Sequence, residues 1–171
     1  MQVKKLLIVV DMQNDFVFGA LGTKEAQSIL PFVKDRIEAA RVSGEEIVFT
    51  RDTHAENYLS TQEGENLPVP HCIKGTEGWQ IVAGLHNGER VFDKITFGSL
   101  ELAAYVQNGG YTQATLIGVC TDICVASNAI LIKAAAPELP IFVEKACCAG
   151  VTPATHEAAL VTLASCQVKI L

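Results

Sequence analysis

A chain of 171 residues with 49% apolar content suffices for one hydrophobic core, so one domain over residues 1–171 is expected. Its net charge is −6 and no Lys/Arg-rich run stands out, which argues against nucleic acid or an anionic membrane surface as the main partner and favours a small molecule. No stretch approaches a membrane span, and the N-terminal apolar run Leu6 to Val10 is too short for a signal-peptide core and is followed at once by acids; cytoplasmic residence is expected.

In chain order, the first element is the run Leu6 to Val10. Its continuous rather than alternating hydrophobicity predicts a strand covered on both faces. A helix follows over Pro31 to Val42, closed by Gly44, then a strand over Glu46 to Thr50. From Asp52 to Trp79 neither a strand nor a helix is expected, and loops of that length are functional or disordered. Beyond it come a strand over Val91 to Ile95, a helix over Leu100 to Gln107 ending at Gly109-Gly110, and a strand over Ala114 to Val119. The chain continues with a helix over Cys124 to Ala136, a strand over Ile141 to Glu144, a helix over Thr155 to Ala164 after Pro153, and a strand over Val168 to Leu171. This alternation predicts an α/β fold: a doubly wound, Rossmann-like three-layer sandwich around a mainly parallel six-stranded sheet.

In such sheets ligands bind beyond the carboxyl ends of the strands, where Asp11, Asp52, Lys94 and the turn bearing Cys124 would all fall. Cys124 follows a strand and opens a helix. Unpaired N–H groups and the positive end of the helix dipole there favour a thiolate and can hold an oxyanion. A buried structural cysteine is the competing reading, as it is for the other five (Cys72, Cys120, Cys147, Cys148, Cys166), which read as reduced thiols in a cytosolic chain.

Inside the long loop, Asp52 and His54 are two residues apart and project to the same side of an extended chain, and His71 can close around the same point. With a carboxylate or water they suit zinc, manganese or iron; scattered polar residues on a surface loop are the alternative. His86 and His156 have no such context and are read as ordinary structural or solvated residues.

Five segments resemble one family in order and in register: VVDMQNDF at the start, RDTH at Arg51 to His54, PHCIKGTEGW at Pro70 to Trp79, FDKITFGS at Phe92 to Ser99 and GVCTDICV at Gly118 to Val125. They are similar to the isochorismatase-like cysteine hydrolases, which include nicotinamidases and carbamoyl-amide hydrolases. The resemblance implies a catalytic triad of Asp11, Lys94 and Cys124, and an oxyanion hole of the Cys120 and Cys124 backbone N–H groups, with the Val119–Cys120 peptide cis. It implies a divalent metal, zinc first, held by Asp52, His54 and His71. A fourth ligand varies in the family; no His lies between His54 and His71, so Glu63 is the candidate, with Glu65 next.

Phe16 and Trp79 are candidates to flank a flat substrate, with core packing as their alternative. The implied activity is hydrolysis of a small, aromatic carboxamide such as nicotinamide through a Cys thioester, with a homo-oligomeric assembly. A carbamoyl-amide (ureido) hydrolase without the metal is the alternative enzyme, and a non-catalytic redox or binding protein using Cys120 and Cys124 the alternative from another class. Three departures from a typical nicotinamidase stand out: a short chain, no second His soon after His54, and Cys at position 120 where a small residue is usual.

Overall fold

A computed structural model of the chain describes residues 3–171. Six strands form one sheet in the order β3-β2-β1-β4-β5-β6, every neighbouring pair parallel. They are β1 (Lys5–Val10), β2 (Glu46–Asp52), β3 (Arg90–Lys94), β4 (Gln113–Val119), β5 (Ile141–Ala149) and β6 (Lys169–Ile170). The chain winds outward from β1 to β3 on one side and from β4 to β6 on the other. The switch between the two directions lies between β1 and β4, and a crevice opens at their carboxyl ends.

The helices are α1 (Asn14–Val17), α2 (Lys24–Ser43), α3 (Gln62–Asn66), α4 (Leu100–Asn108), α5 (Ala126–Ala135) and α6 (Pro153–Ser165). Because β1 alternates its side chains between two covered faces, Leu6, Ile8 and Val10 join the core under α4, α5 and α6, while Leu7 and Val9 join the core under α2. Each such fully buried side chain contributes about 1.5–3 kcal/mol relative to exposure. None of the helices among the described residues is long and apolar enough to cross a membrane.

Most boundaries fall within two residues of expectation; the larger departures have local reasons. Helix α2 opens at Lys24 rather than Pro31: Thr23 caps it by accepting from Ala26 N at 3.0 Å, and its buried stripe Ala26, Ile29, Val33, Ile37, Ala40 runs straight past the proline. The long loop contains a 3₁₀ turn, Tyr58–Ser60, and α3, which Thr61 caps. Cys124 sits in a wide, π-type turn, Thr121–Val125, and α5 proper begins only at Ala126. Strand β5 continues beyond Glu144 to Ala149, its pairing with β4 shifting register between Leu116 and Gly118.

Gly118 pairs with Val10 of β1; its φ is +116 and an added Cβ would meet Val10 O at 2.1 Å. Gly118→Ala is therefore expected to destabilise the fold by about 3 kcal/mol or more, lowering Tm by about 6–12 °C in thermal unfolding. An unchanged Tm would refute the close approach.

Candidate active site

Asp11 follows β1 immediately, in the left-handed region at φ +48, a conformation that a non-glycine residue adopts only under constraint. It is fully buried. Thr50 Oγ1, from β2, donates to its Oδ1 at 2.7 Å. Lys94 at the end of β3 reaches across β2, so its Nζ lies 2.7 Å from Asp11 Oδ2, 3.5 Å from Cys124 Sγ, 3.5 Å from Asp52 Oδ1 and 3.1 Å from Thr96 O. The Lys94 ammonium and the Asp11 carboxylate thus form a buried, charge-assisted pair.

Burial raises the Asp11 carboxyl above the ordinary carboxylate range; Lys94 pulls it down and Asp52 pushes it up. Burial disfavours the charged form of Lys94 too, but Asp11, Cys124 and Asp52 outweigh that and hold it protonated. At Cys124 enclosure works against the thiolate that the start of a helix favours. Burial and the neighbouring Asp11 carry the thiol well above its usual value, against the pull of Lys94, so the sulfur rests protonated until a base accepts the proton. The turn bearing it has a further feature. The Cys120 carbonyl accepts from Ile123 N at 3.1 Å and Val125 N at 3.0 Å, passing over Cys124, and the Val119–Cys120 peptide is cis.

Beside this group, Asp52, His54, Glu63 and His71 bring one donor atom each within 4.8 Å of one another. His54 Nε2 lies 2.8 Å from Asp52 Oδ2 and 3.6 Å from Glu63 Oε1; His71 Nε2 lies 3.5 Å and 3.6 Å from the same two atoms. A tetrahedral ion bound at about 2.0–2.1 Å puts its ligands about 3.3 Å apart, so this donor set fits zinc. His71 Nδ1 lies 2.8 Å from Val69 O, which fixes the ring with Nε2 turned towards the cluster. Despite burial, His54, His71 and Lys94 hold Asp52 well below the carboxylate range, whereas burial and Asp52 raise Glu63. Helix α3 brings Glu63 here; Glu65 is not among the donors.

The two groups border one cavity of about 270 Å³. Cys120 and Cys124 line one part of it, and Asp52, Glu63 and His71 another; Phe16, Leu21, Leu67, Phe97, Ile123 and Val151 supply apolar walls. Phe16 packs edge-on against His71, ring centroids 5.5 Å apart. Trp79, the other candidate to flank a substrate, is absent from the cavity lining. Its indole N–H donates to Thr53 Oγ1 at 2.9 Å and its ring stacks under the Arg51 guanidinium at 3.4 Å, which ties it down outside the cavity wall.

Sequence reasoning missed the residues that hold these parts in place. Gln13 is fully buried; its Nε2 donates to Asp52 O and Trp79 O, both at 2.9 Å, and its Oε1 accepts from Asp52 N at 2.7 Å. Asp15 Oδ2 accepts from Cys72 N at 2.7 Å, anchoring the residue after His71. A signal existed: polar residues directly after a fully buried strand must find partners, and the first loop has few within its own sequence. Of the histidines set aside, His156 Nδ1 pairs with Thr121 Oγ1 at 2.8 Å and His86 Nε2 with Glu89 O at 2.8 Å.

Known proteins share this arrangement of strands. The pyrazinamidase of Pyrococcus horikoshii, solved in complex with zinc, superposes with a TM-score of 0.87 at 31% identity, covering 98% of each chain. A protein of Arabidopsis thaliana described as a probable inactive nicotinamidase is 31% identical over 95% of this chain and 89% of its own length. The nicotinamidase of Saccharomyces cerevisiae is 26% identical over 74% of this chain and 80% of its own. The isochorismatase domain matches residues 5–171, from the first buried strand to the last residue, and the chain belongs to that family.

Proposed function

We propose that the protein is a metal-dependent cysteine amidase that converts a small aromatic carboxamide, nicotinamide or a close relative, to its acid and ammonia. The observation that carries this reading is Lys94 Nζ standing 2.7 Å from Asp11 Oδ2 and 3.5 Å from Cys124 Sγ, with Cys124 lining a cavity that Asp52, Glu63 and His71 also line. The zinc-bound pyrazinamidase and the yeast nicotinamidase among its relatives support the substrate class, and the donor set argues against a metal-free carbamoyl-amide hydrolase. The plant relative described as probably inactive makes the assay below decisive.

In the proposed mechanism Asp11 accepts the Cys124 thiol proton as the sulfur attacks the amide carbon, and the charge that develops on the carbonyl oxygen is met by the Cys120 and Cys124 N–H groups. Collapse of the adduct breaks the C–N bond, and protonated Asp11 returns the proton to the departing ammonia. Asp11 then draws a proton from water, whose oxygen adds to the thioester; loss of the sulfur, reprotonated, releases the acid and restores the enzyme. Burial suits Asp11 to this exchange by bringing its affinity for protons closer to neutral. Asp52, His54, His71 and Glu63 would hold a zinc ion, which supplies a Lewis-acidic anchor for a basic ring atom. By its family resemblance we also infer a homo-oligomer, and from the sequence a cytoplasmic location.

Purified protein is expected to release ammonia from nicotinamide, to lose that activity with a chelator, and to recover it with zinc. Turnover indifferent to complete metal removal would sink the metal-dependent reading.

A further inference from the structure

Asn128 lies on α5 four residues past Cys124 and is fully buried. A buried amide is costly unless its groups are paired, and here each one is. Oδ1 accepts from Ser99 N at 3.0 Å, while Nδ2 donates to Cys124 O at 2.8 Å and to Phe97 O at 3.2 Å. One side chain therefore joins the turn carrying the sulfur to the segment between β3 and α4.

That segment carries two parts of the site: Phe97 lines the cavity, and Thr96 O accepts from Lys94 Nζ. Packing draws it to the same helix independently. An added Cβ on Gly98 would stand 2.5 Å from Leu131 Cδ1 and 3.4 Å from Ser127 Cβ, so the segment lies close against the side chains of α5. Asn128 itself is absent from the cavity wall and would act only through Cys124 and Phe97.

We propose that Asn128 is a positioning residue for amide hydrolysis, fixing the separation between the Phe97 wall and the Cys124 sulfur and hence the pose in which a carbonyl meets the thiol. The proposal rests on the reading of Cys124 as nucleophile. A satisfied core amide with no such role would affect stability alone.

The test is a double-mutant cycle on the zinc-loaded protein: wild type, Asn128→Ser, Phe97→Ala and the double variant. KM and kcat for nicotinamide are measured beside the rate at which iodoacetamide modifies Cys124, read by peptide mass. Asn128→Ser is expected to raise KM about tenfold with zinc content unchanged, and to add little once Phe97 has been removed. Iodoacetamide, which needs no turnover, is expected to modify Cys124 severalfold faster in Asn128→Ser than in wild type. If wild type leaves nicotinamide untouched, the amidase reading fails and the modification rates alone decide the role of Asn128. Lowered thermal stability with KM and modification rate at wild-type values would overturn the proposal, as would additive effects of the two substitutions. Should Asn128→Ser not fold, Asn128→Asp carries the same test, keeping the acceptor for Ser99 and losing both donations.

Discussion

Cys124→Ala is expected to lower kcat/KM for nicotinamide by about 10⁴-fold or more, with fold and zinc content retained. The fold should survive because the sulfur is a neutral thiol at rest: its removal leaves no buried charge unpaired, and Asp11 and Lys94 remain 2.7 Å apart. Lys94→Met is expected to cost about 100-fold or more and to change the pH profile as well. The base must be ionised, so activity falls as pH drops through the raised value of Asp11. Lys94 is what pulls that value down, so without it the acid limb of kcat/KM moves to higher pH. A profile of Lys94→Met whose limb does not move would reject an electrostatic role for the lysine.

The second large effect is expected at Asp52, which faces two ways. Its Oδ2 lies 2.8 Å from His54 and 3.5 Å from His71, and its Oδ1 lies 3.5 Å from Lys94. Asp52→Ala should weaken zinc binding about 100-fold or more in a chelator competition, and His71→Ala should do the same. The two variants are expected to part at the thiol. Asp52 raises both Asp11 and Cys124 through its charge, so its removal eases ionisation of the sulfur, and Cys124 should react faster with iodoacetamide in Asp52→Ala than in His71→Ala. Equal rates would show that the metal group and the thiol group are electrically separate.

The strands were legible because they are buried on both faces: Leu6 to Val10 is apolar throughout, and in Ala114 to Val119 Thr115 is the one polar side chain. Where burial is mixed, legibility failed. Strand β5 was cut short at Glu144 because Glu144 and Lys145 break its apolar run, and α2 was started late because Pro31 reads as a helix opening when the stripe on either side is not weighed. At the site, the residue types and the order of motifs located the acid, lysine, thiol and metal donors in one crevice. The upward push on the thiol was not legible, since it comes from how completely Cys124 is enclosed and from Asp11 beside it, and a helix-end argument sees neither. The roles of Gln13, Asp15 and Asn128 were hidden for a similar reason: each reaches a partner distant in sequence, Gln13 to Trp79, Asp15 to Cys72 and Asn128 to Ser99.

Asp52 and Lys94 are also direct partners in the pairing of β2 with β3. Strand β3 is the outermost on its side, short, and only partly covered, with exposed Arg90 and Asp93 alternating with buried Phe92 and Lys94, so greasy contacts alone hold its alignment weakly. Sliding it by one residue would turn Lys94 away and leave Asp11 and Asp52 enclosed together with no cation between them, a far more costly state than a misplaced apolar side chain. The charges read here as chemistry thus also proofread the edge of the sheet, and a chain that has paired this strand wrongly has no stable site to offer.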